Sequence, residues 1–284
     1  MTLLQIMGLA IVQGAAELLP VSSSAHVIVA EKLMGLDPAA PEMTMLLVML
    51  HTGTMFAVIV YFWSAWKESF FSSKAVFRES AKRIIAATLV TGIVGFALKL
   101  LIEKLFMKNV PHAEIEQLFG NMSLISASLA AAGILIFYAG IKTGKSSRAH
   151  SVDFRQSCYV GAVQGICLPF RGFSRSGATI SAGLLLGVSR RKIEEFSFAL
   201  AVVLTPPVIA REAWRLLKDQ QHVSAADLGG MFTPGILGMV FSFIAGLLAL
   251  KWLSNWLEAG RWHLFGVYCL AASAVVFALH QGGV

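Results

Sequence analysis

The stretch Val12-Gln13-Gly14-Ala15-Ala16-Glu17-Leu18-Leu19-Pro20-Val21-Ser22-Ser23-Ser24-Ala25-His26 decides how this chain folds. It interrupts an apolar region, 3–30, that would otherwise be long enough to cross a bilayer, a task that takes about 20 apolar residues. An apolar arm runs in from Leu3, a Pro- and Ser-rich centre follows, and a second short arm runs out through Ala30. Unwound backbone at membrane depth is tolerated only where it is buried in protein or lines a wet cavity, because lipid offers its polar groups no partner. Region 3–30 therefore reads as a re-entrant helical hairpin. Region 157–188 has the same form, centred on Gly172-Phe173-Ser174-Arg175-Ser176-Gly177-Ala178-Thr179.

Working outward, the rest of the 284 residues is mostly lipid-compatible: 56% are hydrophobic and 14% charged, with mean hydropathy +0.71. A soluble domain carries about 25% charged residues. Six spanning helices are predicted at about 43–63, 84–105, 122–141, 196–213, 233–253 and 262–280. The expectation is an all-α polytopic protein, a single membrane domain over 1–284, with six transmembrane helices and two re-entrant hairpins. The apolar start lacks a positively charged leader and runs straight into Gln13, Glu17 and Pro20, so no cleaved signal peptide is expected.

Charge orients the bundle. Segment 64–83 carries Lys67, Lys74, Arg78, Lys82 and Arg83 against Glu68 and Glu79, and 142–156 carries Lys142, Lys145, Arg148 and Arg155 against Asp153. Segment 31–42 is acidic instead, with Glu31, Asp37 and Glu42 against Lys32, and 106–121 is near balance. The positive-inside rule puts the first two in the cytoplasm, together with Arg190, Arg191 and Lys192. Both termini then lie outside, and the two hairpins enter from opposite faces. The net charge of +7 is explained by these loops, so nucleic acid is not an expected partner. The three cysteines, Cys158, Cys167 and Cys269, are scattered and make neither a metal spacing nor a disulfide framework.

The opposed hairpins share wording. Val12-Gln13-Gly14 is echoed by Val163-Gln164-Gly165, and a Ser-rich turn follows each. About three spans come after each hairpin. Such a pattern predicts inverted repeats, approximately 1–141 and 142–284, whose broken helices meet near the midplane and build the site.

The two polar centres have complementary chemistry. Glu17 is an acid inside an apolar segment, where burying a carboxylate is costly unless it faces a cavity and a partner. Ser22, Ser23, Ser24 and His26 follow within ten positions and complete a candidate set of nucleophile, base and orienting group. Each taken singly has a structural reading as well: a hydrogen bond to the loop, a helix cap, an interior histidine. The second centre offers Arg175 between Ser174 and Ser176, with Gly172 and Gly177 letting backbone approach an anion and Thr179 beyond. A helix starting there would point its N–H groups and dipole at phosphate, and Arg adds a planar two-pronged donor. No Walker A loop is present, which argues against nucleotide hydrolysis. Phosphoryl transfer suits a site of this kind, since it demands charge neutralisation and a positioned nucleophile.

These residues resemble a known family, the undecaprenyl-diphosphate phosphatases, also called bacitracin-resistance proteins. The family's first motif, E-G-x-x-E-F-L-P-V-S-S-x-x-H, is matched from Gln13 to His26, and its second, P-G-x-S-R-S-G-x-T, from Gly172 to Thr179. Weaker similarity covers Leu50 to Trp63 and Glu195 to Val202. The resemblance implies hydrolysis of undecaprenyl diphosphate to the monophosphate at the outer face of a bacterial inner membrane, regenerating the lipid carrier for cell-wall synthesis. By motif position it implies Glu17, Ser23, His26 and Arg175 as catalytic residues, with Gln13, Ser22, Ser174, Ser176 and Thr179 as phosphate contacts. It also implies a divalent cation, Mg²⁺ or Ca²⁺, with Glu17 as the candidate ligand. Expected partners are the polyprenyl diphosphate, membrane lipid and, as an open alternative, a second copy of the chain.

Two departures stand out. Gln13 replaces the first acid of the family motif, keeping an acceptor but losing the charge. Leu168-Pro169-Phe170-Arg171-Gly172 replaces the usual Pro-Gly lead-in, so Arg171 is either a further phosphate ligand or a loop adjustment. Two competing functions are a flippase for polyprenyl phosphate, whose architecture inverted repeats also serve, and a scaffold in a cell-wall complex.

Overall fold

The computed structural model describes residues 1–36, 41–106, 118, 120–143, 151–219 and 225–282, without the side chains of 41, 42, 44, 212, 213, 215–219 and 225–232. Its described elements are helices: α1 (Leu3–Leu18), α2 (Ser23–Leu33), α3 (Pro41–Phe70), α4 (Lys74–Phe106), α5 (Met122–Thr143), α6 (Phe154–Cys167), α7 (Arg175–Leu185), α8 (Arg190–Asp219), α9 (Ala225–Glu258) and α10 (Trp262–Gln281). Six of these, α3, α4, α5, α8, α9 and α10, contain stretches long and apolar enough to cross a membrane. They coincide with the six predicted spans.

The helices run past the predicted span ends. α3 continues to Phe70 and α4 begins at Lys74, so most of the segment expected as the loop 64–83 is helical. Apolar composition marks only the part immersed in lipid. A charged continuation such as Lys67 and Glu68, or Lys74 to Arg83, keeps its backbone bonds in the helix while its side chains reach solvent. Lys145 and Arg148, two of the charges that orient the bundle, lie outside the described residues, as do Asp37 and the side chain of Glu42.

Each interrupted region becomes two short helices packed on one another: α1 on α2 and α6 on α7. Both pairs open with a reciprocal cap. Thr2 and Gln5 form it on α1, and Asp153 and Gln156 form it on α6, satisfying N–H groups that a helix start leaves bare. α1 packs on α9 and α6 on α4, while α3 packs on both α8 and α9 and α5 lies along α10. The glycines of the repeated Gln-Gly pair explain two of these contacts. A Cβ at Gly14 would lie 2.7 Å from the Ser242 carbonyl oxygen of α9, and one at Gly165 would lie 2.8 Å from the Thr91 carbonyl oxygen of α4. Small residues of this kind let membrane helices approach closely, where dispersion replaces the hydrophobic drive that lipid removes.

Large apolar side chains cover the outer surface. Leu89, Ile93, Phe96 and Leu248 are each more than 60% exposed, which would be anomalous in water and suits a hydrocarbon surround. The interior carries Leu250, Leu253, Phe198, Ile193 and Trp262, none more than 1% exposed. The polar turns of both interrupted helices lie inside this shell.

Candidate active site

The site is built where α1 ends. Gln13 and Glu17 stand one turn apart on the same face of α1, and the helix stops at Leu18 as Pro20 approaches. Within the turn, Val21 donates its N–H to the Leu19 carbonyl at 2.8 Å. Ser22 then adopts φ 68°, the one non-glycine residue with positive φ among the described residues. A side-chain-bearing residue in that region is strained by about 1–3 kcal/mol and persists where the surroundings impose it. Its effect is to start α2 at Ser23 with the Ser23 hydroxyl turned back onto Glu17.

Four side chains converge on that carboxylate. Ser23 Oγ donates to Glu17 Oε2, and Gln13 Nε2 donates to the same oxygen at 3.4 Å. Arg175 Nη2 donates to Oε1 at 3.0 Å from the other interrupted helix. His51 of α3 brings Nε2 to 3.9 Å from Oε2, while its Nδ1 donates to the Leu47 carbonyl at 2.8 Å. The two polar turns expected to meet therefore do so, with Glu17 and Arg175 in direct contact and each side chain about a fifth exposed. A second link joins the turns, Ser176 Oγ donating to the Leu19 carbonyl at 3.4 Å.

Arg175 is the first residue of α7. Ser174 caps that helix, its Oγ accepting from the Gly177 N–H at 3.2 Å. The chain reaches the cap through Gly172 at φ 103°, where a Cβ would also lie 2.5 Å from the Ile125 carbonyl oxygen. Only glycine meets both conditions. The start of a helix and a guanidinium are thus brought to one spot, an arrangement that attracts phosphate.

Other sequence candidates are placed differently. Thr179 is fully buried, donates to the Arg175 carbonyl at 2.8 Å and meets Ser197 Oγ of α8 at 2.6 Å, so its hydroxyl joins α7 to α8. Arg171 acts electrostatically on Glu31, a fully buried residue of α2. Ser22 meets Ser24 Oγ at 3.4 Å through its hydroxyl and presents its carbonyl to His26. His26 does not touch Glu17; its Nδ1 donates to that carbonyl at 2.7 Å, and its Nε2 accepts from the Tyr268 hydroxyl at 2.8 Å.

His51 and Tyr268 were not singled out in the sequence. His51 could have been found, because an ionisable residue inside an apolar span is a functional candidate by default. Tyr268 left no such signal: it is a partly apolar residue in an apolar helix, 242 positions from His26.

Comparison with known proteins bears on this geometry. The model of one family, described as bacitracin resistance protein BacA, matches residues 6–275, which include both polar turns and Tyr268. The chain belongs to the bacitracin resistance protein BacA family. Among its relatives, a protein of Acinetobacter baylyi named undecaprenyl-diphosphatase 2 is 59% identical over 98% of each chain. A Burkholderia orbicola protein of the same name is 34% identical over 95% of this chain and 94% of its own. One from Parabacteroides distasonis, named undecaprenyl-diphosphatase, is 30% identical over 95% of each. With six apolar helices of spanning length, this BacA-family chain is a multi-pass membrane protein.

Proposed function

We propose that this chain hydrolyses undecaprenyl diphosphate to undecaprenyl phosphate and inorganic phosphate, recycling the lipid carrier of cell-wall synthesis. The observation that carries the reading is Glu17, which meets the Ser23 hydroxyl on one oxygen and Arg175 on the other. A hydroxyl paired with a base and facing a cation is the minimum for moving a phosphoryl group. The diphosphatase names of the relatives favour hydrolysis over lipid translocation.

In the first step Ser23 Oγ attacks the terminal phosphorus and its proton passes to Glu17 Oε2. The new Oγ–P bond forms as the bond from phosphorus to the bridging anhydride oxygen breaks, and undecaprenyl phosphate leaves. Water then attacks the phosphoseryl phosphorus, losing a proton to His26 Nε2. The Oγ–P bond breaks as Glu17 returns its proton to Ser23 Oγ, and inorganic phosphate leaves with the remaining proton passing from His26 to solvent. Arg175 transfers from Glu17 to the phosphate oxygens when substrate enters, and the start of α7, held by the Ser174 cap and tied to the first turn through Ser176, points its dipole at the same charge. Thr179 supports Arg175 from behind, and Arg171 adjusts the turn through Glu31. A second reading, attack by His26 Nε2, is favoured by the bond that fixes the proton on Nδ1 and leaves Nε2 a lone pair.

A divalent cation belongs to this proposal. Among the described residues no three His, Cys, Asp or Glu side chains cluster to hold a metal, but Mg²⁺ is commonly bound by one or two protein oxygens with substrate phosphates completing its shell. Glu17 and Gln13 Oε1 fit that role, since Gln13 is fully buried and Oε1 has no hydrogen-bond partner. A bound cation would neutralise charge on the diphosphate. Gln13→Glu is then expected to lower the Mg²⁺ concentration giving half-maximal activity by about tenfold, through one added charge close to the ion. A Mg²⁺ titration of phosphate release by both proteins checks this.

The architecture we infer is an inverted repeat. The order of short, short, long, long and medium helices in α1–α5 recurs in α6–α10, with 16, 11, 30, 33 and 22 residues against 14, 11, 30, 34 and 20. The paired caps, the Gln-Gly contacts and the mirrored α1–α9 and α6–α4 packing support it. The short helices are then the arms of re-entrant hairpins, in the inner membrane, with the site open to the periplasm. Purified protein should release phosphate from undecaprenyl diphosphate in detergent. No release, with or without Mg²⁺ or Ca²⁺, would overturn the proposed activity.

A further inference from the structure

Tyr268 lies outside both polar turns, yet it is the hydrogen-bond partner of His26 on the side away from the backbone. We propose that Tyr268 is a positioning residue of the phosphatase site, holding His26 as the tautomer protonated on Nδ1 with its Nε2 lone pair engaged until substrate arrives. This rests on the hydrolytic reading given above and adds a residue to it.

The geometry supplies the reasons. His26 Nδ1 lies 2.7 Å from the Ser22 carbonyl, and a carbonyl oxygen only accepts, so that nitrogen carries the proton. In the neutral ring Nε2 is then an acceptor, and the Tyr268 hydroxyl at 2.8 Å donates to it. The two rings also lie nearly parallel, 13° apart with centroids separated by 5.7 Å, which fixes the imidazole plane as well as its protonation. Both anchors are themselves held. Ser22 presents its carbonyl from a positive-φ backbone. Tyr268 stands beside Cys269, whose Sγ–H is directed at the Pro20 carbonyl at 3.4 Å, tying α10 to the same turn. Farther along, Ser273 Oγ donates to the Ser126 carbonyl at 2.8 Å and ties α10 to α5.

The consequence concerns reactivity. An imidazole with Nδ1 bound to a carbonyl and Nε2 open is a ready base or nucleophile, and one whose Nε2 is covered by a phenol is not. Tyr268 is about half exposed, so its hydroxyl has room to turn away from Nε2 as substrate enters. That movement would free Nε2 only when a phosphate is present. Removing the hydroxyl should therefore leave the resting imidazole more reactive and the catalysed reaction slower.

Tyr268→Phe keeps the ring and the stacking but deletes the donor. We expect kcat to fall about tenfold, the loss of one hydrogen bond made at the reacting group, with KM changed less than about threefold. Treatment with diethyl pyrocarbonate, followed by peptide mapping to separate His26 from the other six histidines, should show His26 modified at least about threefold faster in Tyr268→Phe than in wild type. His51, one turn from Leu47 and not bonded to Tyr268, is the internal reference. The double variant His26→Gln/Tyr268→Phe should be no slower than His26→Gln alone, because Tyr268 acts through His26. Equal modification of His26 in both proteins would overturn the proposal. So would a further tenfold loss in the double variant. If wild type released no phosphate at all, the hydrolytic reading would fall, while the modification rates would still decide whether Tyr268 covers His26.

Discussion

Arg175→Ala is expected to lower kcat/KM for undecaprenyl diphosphate by about 10³-fold, as measured by phosphate release in detergent. Loss of one well-placed donor to a developing oxyanion costs about 10²–10³-fold, and Arg175 has a second task. Its Nη2 lies 3.0 Å from Glu17 Oε1, so it also holds the carboxylate that orients Ser23. Arg175→Lys should recover only a small part of the activity, because an ammonium is a point charge and cannot reproduce the planar fork. The pair can be separated from a general loss of structure. Thermal unfolding of Arg175→Ala with Glu17→Gln should resemble wild type more than that of Arg175→Ala alone, since the single variant leaves Glu17 charged without its guanidinium. Near-wild-type turnover in Arg175→Ala would remove the cation from the mechanism.

Ser23→Ala is expected to abolish turnover to at least about 10⁴-fold below wild type, the scale seen when an attacking side chain is deleted. Glu17 Oε2 accepts from Ser23 directly, and the oxygen left for other work, Oε1, faces Arg175. Rapid acid quench of wild type during turnover should trap a phosphate ester on Ser23 that survives acid. An acid-labile phosphoramidate on His26, with Ser23→Ala retaining most of its activity, would assign the attack to Nε2 instead and leave Ser23 as a hydrogen-bonding neighbour.

The sequence was most legible where composition and polarity clash. Six apolar runs gave the six long helices, and the two apolar regions broken by Pro, Gly and Ser gave the two short helix pairs. A carboxylate at Glu17 and a guanidinium at Arg175 inside apolar surroundings pointed to one another because each charge needed a partner there. Helix ends were less legible, because Lys74 to Arg83 reads as loop by composition yet continues the helix by backbone bonding. Side-chain direction was not legible either. Thr179 and Ser176 both belong to the Ser-Arg-Ser motif region, but Thr179 turns toward Ser197 and Ser176 toward Leu19. Tyr268 became visible only when α10 was seen beside the first turn, since nothing in its own helix distinguishes it from a residue facing lipid.

The most direct measurement is a structure with a methylene-bridged polyprenyl diphosphate, which binds but cannot be cleaved. The terminal phosphonate should lie against Arg175 and the first N–H groups of α7, with Ser23 Oγ in line behind its phosphorus and Arg175 withdrawn from Glu17. A diphosphate bound elsewhere, for instance at Arg191 and Lys192, with the Glu17–Arg175 contact unbroken, would contradict the account.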